Sequence, residues 1–189
     1  LTLPGTQKDE ELRQGLETIH TTGKGLVNFV MSYRKLTRLP SPDPTLFDVR
    51  PFLERMMKLA LHQHSYPNIR MILEEVKEDL MVFADESLLT QVMTNLLKNA
   101  VQAIGDTEEG EIRIRAYCDD QDLVRIEVSN NGPKISPEVA GQMFVPFFTT
   151  KKEGSGIGLS LSKQIMRLQG GSIALLPYKN EWTTFVVVL

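Results

Sequence analysis

The sequence has 189 residues, 41% of them hydrophobic, and a formal net charge of −3 at pH 7. This length suffices for one compact core with an appendage, and the lack of a basic block argues against nucleic-acid binding. Cys118 is the only cysteine, which excludes an internal disulfide and a cysteine-based zinc cage. No apolar run reaches the roughly 18 residues that span a bilayer.

The first residue is Leu1, with neither an initiator methionine nor a basic and apolar leader segment. We therefore expect an engineered piece of a longer protein. The single cysteine suits a reducing compartment, so a cytoplasmic location is predicted. Any anchor of the parent protein in a bacterial inner membrane is expected to lie outside this sequence.

A long helix is predicted from Asp9 to about Leu39. Its apolar stripe repeats about every 3.5 residues, which is typical of helical bundles and coiled coils. Because one narrow stripe does not stabilise a helix alone in water, we expect partner helices, with packing on its own domain as the alternative. The stripe consists of Leu12, Leu16, Ile19, Gly23, Leu26, Val30 and Tyr33.

Three prolines end this helix and predict a domain boundary. Pro40, Pro42 and Pro44 each lack an N–H group and restrain the residue before them. The boundary divides the chain into a helix with its linker, residues 1–44, and a second domain, residues 45–189, with an α+β pattern. In that domain we predict strands at about 46–49, 69–74, 81–84, 111–117, 123–129, 172–176 and 183–189, and helices at about 51–62, 86–104 and 157–168, with little periodic structure over 130–158.

The first polar motif lies on the predicted helix 86–104. Asn95 and Asn99 are four residues apart, so their side chains lie one turn apart on the same face, with Lys98 beside them. Amide oxygens can bind Mg²⁺ while leaving coordination positions for phosphate oxygens and water. A polar helix face with incidental amides is the alternative interpretation.

The second motif, Ser129-Asn130-Asn131-Gly132-Pro133, follows a predicted strand. Such a segment is usually a turn. Its functional interpretation is that the Asn130 amide lies at a strand end inside a pocket, where it can hydrogen-bond a planar heterocycle.

The third motif has glycines at positions 154, 156 and 158, directly before a predicted helix, and Lys151 and Lys152 add positive charge. Glycines let a backbone approach a ligand closely, and a helix N-terminus adds a partial positive charge. The segment therefore predicts a triphosphate site, with a flexible loop as the alternative. Its spacing fits neither the dinucleotide fingerprint nor the P-loop.

Taken in chain order, these motifs resemble the N, G1, F and G2 boxes of the ATP-binding domain of sensor histidine kinases. That fold is shared with type II topoisomerases, mismatch-repair ATPases and the ninety-kilodalton heat-shock chaperones. The resemblance runs from about Leu46 to Leu189, and the preceding helix is similar to the second helix of the kinases' dimerisation hairpin. The nitrogen-sensor subgroup is indicated by Phe144-Val145-Pro146-Phe147-Phe148-Thr149-Thr150-Lys151 and by Asn99-Ala100-Val101-Gln102-Ala103.

The resemblance implies a two-layer α/β sandwich, in which helices cover a mixed sheet, preceded by one long helix of a dimeric bundle. It implies ATP and Mg²⁺ as ligands: Asn95 and Asn99 would hold the metal, Lys98 or Lys151 would neutralise phosphates, and the three glycines would form a hinged lid. Asn130 would meet the adenine amino group, with Thr184 helping through water. The implied ATP-binding set is Asn95, Lys98, Asn99, Asn130, Gly132, Thr150, Lys151, Gly154, Gly156, Gly158 and Thr184.

Two positions depart from the family pattern. Asn130 stands where the family usually has Asp, and Lys134 where it usually has Gly. An amide oxygen still accepts a hydrogen bond from the adenine amino group, without the strength of a charged acceptor. Nucleotide binding is therefore expected to be weaker but retained.

The residue one turn before the metal-binding amide separates the kinases from the related ATPases. The ATPases have a Glu there as general base, whereas this chain has Asn95, which takes no proton at neutral pH. We therefore expect transfer of the γ-phosphoryl group to a histidine, through positioning and charge neutralisation, rather than hydrolysis. A degenerate, non-catalytic nucleotide-binding or dimerisation module of the same fold is the alternative.

The phosphoacceptor histidine is expected upstream of this sequence. His20 has no adjacent acid to act as a base, and the spacing of His62 and His64 alone does not make a metal site. The resemblance implies a homodimer formed through the N-terminal helix and onward transfer to the receiver domain of a response regulator. Membrane contact is expected only through upstream parts of the parent, and no nucleic-acid partner is expected.

Overall fold

The computed structural model of the chain describes residues 4–63, 68–105, 109–151, 154–177 and 181–189. Every predicted helix and strand is present, with modest shifts at the ends. In chain order the elements are α1 (Pro4–Thr37), β1 (Thr45–Asp48), α2 (Val49–Gln63), β2 (Ile69–Val76), β3 (Met81–Ala84), α3 (Glu86–Ile104), β4 (Gly110–Cys118), β5 (Val124–Asn130), α4 (Pro137–Gln142), α5 (Gly158–Leu168), β6 (Ser172–Leu175) and β7 (Thr183–Val188).

One element was not predicted. The short helix α4 lies in the stretch that was expected to contain little periodic structure. The Ser136 hydroxyl caps it by accepting a hydrogen bond from the Val139 N–H, and Pro137 occupies its first turn, where the missing N–H costs nothing. Serine followed by proline is therefore the local start signal of this helix.

Five strands form a mixed sheet in the order β2-β4-β5-β7-β6. β2 and β4 are parallel, while the other neighbouring strands are antiparallel. A separate two-stranded sheet pairs β1 with β3. The mixed sheet and its helices confirm the predicted α+β sandwich.

The core lies between the five-stranded sheet and the helices α2, α3 and α5. β4 alternates buried and partly exposed residues, because successive strand side chains point to opposite faces, and α3 turns its apolar stripe toward the sheet. The Asp85 carboxylate caps α3 by accepting from the Leu88 N–H at 3.0 Å. This cap sets the start of the helix that carries Asn95 and Asn99.

α1 leaves its apolar stripe exposed. Leu12, Ile19 and Leu26 are 64%, 70% and 64% exposed, respectively, as expected for a helix that needs partner helices. In its second half, the Phe29 ring stacks on the Phe147 ring with centroids 4.8 Å apart, which joins α1 to the segment before α5. Within the described ranges, no helix combines the length and apolar character needed to cross a membrane.

Candidate nucleotide-binding site

A cavity of about 710 Å³ opens between α3, α4, the ends of β5 and β7, and the segment that leads into α5. This volume is in the range of sites that bind small molecules. The structure brings motifs from distant parts of the sequence together here. Nine of the eleven residues of the implied ATP-binding set line the cavity: Asn95, Lys98, Asn99, Asn130, Thr150, Lys151, Gly154, Gly156 and Gly158.

α3 presents both predicted metal-binding amides to the cavity. Its apolar face is buried in the core, whereas Asn95 and Asn99 are partly exposed beside that face. The Asn95 Nδ2 atom donates to the Ser162 Oγ atom of α5 at 3.0 Å. A Cβ atom at Gly158 would collide with the side-chain Oδ1 atom of Asn95, so glycine lets the start of α5 lie directly on this side-chain amide.

The turn before α5 has an unusual backbone conformation. Gly156 has φ +67°, and a Cβ atom on it would collide with the backbone carbonyl of Phe147. Phe147 itself has φ +66°, a region that side-chain-bearing residues rarely adopt and that costs about 1–3 kcal/mol. The packing of these two residues against each other therefore determines the path of the glycine-bearing segment along the cavity.

Lys151 joins that segment to α3. Its Nζ atom donates to the Asn99 Oδ1 atom at 3.1 Å and to the Gln102 Oε1 atom at 2.7 Å. Although the residue as a whole is exposed, burial of its ammonium group among these neighbours lowers the pKa of Lys151, and the positive charge of Lys98 lowers it further. An anion bound beside the two lysines would relieve both effects, because it favours the charged form.

The described wall of the cavity carries positive charge and no negative charge. Lys98, Lys134 and Lys151 line it, and the described lining includes no Asp or Glu. The Nζ atom of Lys134 pairs with the Glu181 carboxylate at 2.6 Å, so part of that charge is balanced from outside the lining. An anionic group is therefore favoured most strongly beside Lys98 and Lys151.

Asn130 and Thr183 place buried polar atoms on the cavity wall. Asn130 ends β5 and is 3% exposed, and Thr183, its register partner in β7, is 2% exposed. The Asn130 Nδ2 and Thr183 Oγ1 atoms have no hydrogen-bond partner in the described part of the chain. A buried polar group without a partner costs about 1–3 kcal/mol, so both atoms would gain from a polar ligand.

Two members of the implied ATP-binding set do not line the cavity. The Thr184 hydroxyl lies 2.8 Å from the Ser129 Oγ atom on the opposite face of the sheet, and Thr183 takes the inward position instead. Strand alternation does not reveal which of the two threonines points inward, because apolar residues occupy both faces of β7. Gly132 is buried beside the wall, where a Cβ atom would lie 2.9 Å from the Ala103 backbone; it allows a close approach of the two segments.

Four further lining residues surround α4 and were not singled out by the sequence motifs. The apolar residues Ile135, Val139 and Met143 recur every four positions, and Ser136 provides the cap. This helical spacing after a capping serine was the signal that could have revealed them. Their side chains give the cavity an apolar wall that suits the flat face of an aromatic ring.

Other predicted residues lie away from the cavity or outside the described residues. His20 is exposed on α1 and is not among the lining residues. That it is not the phosphoacceptor stays a prediction. Lys152 and His64 fall outside the residues that the structure describes. His62 belongs to α2.

The sequence matches known proteins over the part of the chain that forms this cavity. The family described as histidine kinase-, DNA gyrase B-, and HSP90-like ATPase matches residues 84–189. The C4-dicarboxylate transport sensor protein DctB of Rhizobium meliloti is 40% identical over 113 residues, which cover 59% of this chain and 18% of that protein. The sensory histidine kinase/phosphatase NtrB of the same species is 37% identical over 124 residues, which cover 57% of this chain and 31% of that protein. The chain thus spans less than a third of the length of either relative.

Solved structures are similar over a larger part of the chain. The catalytic domain of the histidine kinase ThkA is 34% identical, with a TM-score of 0.67, over 78% of this chain and 95% of that one. ThkA in complex with the response regulator protein TrrA has a TM-score of 0.73 at 28% identity, over 100% of this chain and 52% of that one. The second similarity includes the segment that forms α1.

Proposed function

The chain belongs to the family of histidine kinase-, DNA gyrase B-, and HSP90-like ATPases, and we propose that it binds Mg²⁺-ATP and presents the γ-phosphoryl group to a histidine of its parent sensor kinase. The observation that carries this proposal is one cavity in which paired amides, two lysines, a glycine-bearing turn and two unpaired buried polar atoms meet. Together these features support the binding of the metal, the phosphates and the base of the nucleotide.

The phosphates are proposed to bind beside Lys98, Lys151 and the start of α5. The first N–H groups of a helix have no partner within the helix, and they favour an anion together with the helix dipole. The N-cap residue of α5, Ile157, makes no side-chain capping bond, which leaves these N–H groups for phosphate oxygens. Gly158 and Leu159 bring this helix end into the cavity wall.

The two amides of α3 fit a metal site that phosphate oxygens complete. Asn95 and Asn99 offer neutral oxygen ligands one turn apart, and Mg²⁺ in nucleotide sites typically takes few protein ligands beside phosphates and waters. When bound, Mg²⁺ would neutralise charge on the phosphates. The bond from Asn95 to Ser162 holds the first amide in place, and Lys151 already brings a positive charge to the second.

The base is proposed to bind between the apolar residues around α4 and the ends of β5 and β7. Ile135, Val139 and Met143 would contact the flat faces of the ring system. Asn130 and Thr183 would pair with its polar edge, because both have a buried polar atom without a partner among the described residues.

Phosphoryl transfer, rather than hydrolysis, suits the groups that line this cavity. Hydrolysis by a general base needs a side chain that takes a proton from water, and the described lining includes no Asp, Glu or His. The residues of this chain would act by holding the triphosphate in position and by neutralising its charge. The incoming histidine is proposed to come from the parent protein.

The proposed partners follow from α1 and from the relatives. The exposed apolar stripe of α1 suits helices of a second copy, so we propose a homodimer through this helix, with residues 1–44 as dimerisation helix and linker and residues 45–189 as the ATP-binding domain. The solved complex of ThkA with TrrA supports a response-regulator receiver domain as the next phosphoacceptor. This part of the parent is proposed to work in the cytoplasm, with membrane contact only through other segments.

Titration calorimetry with a non-hydrolysable ATP analogue tests the binding part of the proposal. Saturable binding that weakens when Mg²⁺ is removed is the expected result. Heat of dilution alone, at millimolar nucleotide, would show that the cavity is not a nucleotide site.

Incubation with γ-labelled ATP tests the transfer part. The chain alone should stay unlabelled, and adding the parent's histidine-bearing helical hairpin should give an acid-labile label on that hairpin. A label on the chain alone that disappears in His20→Ala would identify His20 as the acceptor. Good ATP binding without transfer to any acceptor would favour the degenerate, non-catalytic module.

A further inference from the structure

The ends of β5 and β7 contribute two side chains that can each donate or accept a hydrogen bond. The Asn130 amide has an NH₂ donor and a carbonyl acceptor, and the Thr183 hydroxyl serves in both roles. Both residues are buried, and the Asn130 Nδ2 and Thr183 Oγ1 atoms have no partner in the described part of the chain. The third such buried atom in the described ranges, Nε2 of Gln169, is not part of the cavity lining. The unpaired polar atoms are thus concentrated where a ligand would bind.

The Asn130 amide is free to bind in either of two orientations. Among the described residues, no hydrogen bond to this side chain holds its nitrogen or its oxygen in place. A half-turn about its terminal torsion exchanges the two atoms at little cost. Gly132 avoids crowding this amide, since a Cβ atom at that position would lie 3.0 Å from the Asn130 Nδ2 atom.

Adenine and guanine present opposite hydrogen-bonding patterns on the edge that carries the substituent at C6. Adenine has an amino donor there beside the N1 acceptor, whereas guanine has the O6 acceptor beside an N1–H donor. An amide pairs with either pattern through two hydrogen bonds, after the half-turn that exchanges its donor and acceptor. The Thr183 hydroxyl adapts in the same way.

A carboxylate at the position of Asn130 would behave differently. It only accepts hydrogen bonds at neutral pH, so it takes a single hydrogen bond from either edge, from the adenine amino group or from the guanine N1–H, while its other oxygen opposes the acceptor beside that donor. A site with one fixed pattern of donors and acceptors rejects a mismatched analogue by factors of up to about 10⁴–10⁵, because a buried polar group is left unpaired. An amide that can turn avoids this mismatch.

We propose that Asn130, together with Thr183, makes this cavity bind guanine nucleotides as well as adenine nucleotides. The inference rests on the proposed function, because it specifies which purine triphosphates the same site takes. Lys98, Lys151 and the start of α5 would meet phosphates that are common to all of these nucleotides. The base edge at Asn130 is therefore where selection among them takes place.

The test is a calorimetric titration of the chain with Mg²⁺ and non-hydrolysable analogues of ATP, GTP and inosine triphosphate. Inosine triphosphate carries the O6 and N1–H groups of guanine without its C2 amino group. It therefore tests the pairing of the amide with these two groups alone. The dissociation constants of the three are expected to agree within about tenfold.

Asn130→Leu should weaken the binding of ATP and of inosine triphosphate alike, by at least about tenfold, because both bases lose the same amide and leave their polar edge unpaired. Ser129→Ala is the matched control: its side chain faces the other side of the same strand, and it should keep the wild-type affinities. An unchanged affinity of folded Asn130→Leu for either nucleotide would overturn the proposal.

The comparison of the three nucleotides on the wild-type chain tests the proposal even if Asn130→Leu does not fold. ATP binding with GTP and inosine triphosphate more than about a hundredfold weaker would overturn the purine proposal and leave the proposed function intact. Failure of all three nucleotides to bind would contradict both.

Discussion

The Nζ atom of Lys151 lies 3.1 Å from the Oδ1 atom of Asn99 and donates a hydrogen bond to it. A positive charge thus already lies at the oxygen that we propose as a metal ligand. The second bond of this ammonium group goes to Gln102, while burial and the charge of Lys98 lower the pKa of Lys151. Because bound phosphate would favour the charged form, nucleotide binding and the state of Lys151 are coupled.

Lys151→Met should weaken binding of the ATP analogue about tenfold or more, because a hydrogen bond to a charged group contributes about 1.5–3 kcal/mol. The melting temperature without ligand should change little, since loss of a disfavoured charge offsets loss of two hydrogen bonds. Calorimetry and thermal melts measure the two effects. Lys58→Met, on the exposed side of α2, is the control, and equal affinities of the two variants would rule out phosphate binding by Lys151.

The two amides of α3 should respond differently to truncation. Asn99→Ala should remove the dependence of ATP affinity on Mg²⁺ and leave the free energy of unfolding nearly unchanged. Asn95→Ala should also destabilise the fold by about 1–3 kcal/mol, because the Ser162 hydroxyl loses the hydrogen bond that Asn95 donates to it. Ser162 is only 1% exposed, so water does not replace this bond. Calorimetry with and without Mg²⁺, together with urea unfolding, separates these effects. An unchanged metal dependence in Asn99→Ala would mean that this helix face holds no metal.

Local signals in the sequence were sufficient to predict the helix that carries these amides. α3 spans Glu86–Ile104 as predicted, because Asp85 caps its start and Gly105 follows its end with φ +58°. The apolar period of the helix also determined which face is buried, and hence which face is left for Asn95 and Asn99.

The parts of the site that could not be predicted depend on register and on contacts between distant segments. Thr183, rather than Thr184, faces the cavity because of how β7 pairs with β5, and strand alternation is uninformative where both faces are apolar. The stacking of Phe29 on Phe147 joins residues far apart in sequence, and no local pattern encodes it.

Stability should fall in acid partly through Asp85. Its carboxylate accepts hydrogen bonds from the backbone N–H groups of Asp43 at 2.9 Å and Leu88 at 3.0 Å, which lower the pKa of Asp85 below its ordinary value of 3.8. Because folding lowers this pKa, the ionised form contributes stability that is present above the ordinary, unfolded value and is lost as the pH falls through the folded value.

Asp85→Asn should therefore lower the free energy of unfolding by about 1 kcal/mol at neutral pH, and this difference should shrink below about pH 4. Urea unfolding from neutral to acid pH measures it. The pKa values of Asp119 and Glu138 are also lowered in the fold, so the informative quantity is the difference between wild type and variant. Asp120→Asn, in an exposed turn, is the control. A constant difference across this pH range would exclude a contribution from ionised Asp85.

Gly156 and Gly170 allow a conformational cost to be separated from a functional one. Both have positive φ, at +67° and +77°, but only at Gly156 would a Cβ atom collide with another segment, the Phe147 backbone, whereas the space beside Gly170 is open. Alanine at either position should cost about 1 kcal/mol of stability, because the backbone conformation is unfavourable for a side chain. At Gly156 the collision should also displace the turn that brings Gly154 and Gly158 to the cavity.

Gly156→Ala is therefore expected to weaken ATP binding at least about tenfold, because small displacements of positioning groups have large effects. Gly170→Ala should melt a few degrees earlier than wild type, as expected for a cost of about 1 kcal/mol in a chain of this size, and should bind ATP with wild-type affinity. Thermal melts with and without the ATP analogue measure both quantities on the same samples. If Gly156→Ala melts early but keeps the wild-type ATP-induced shift in melting temperature, then this glycine supports only the fold and not the phosphate site.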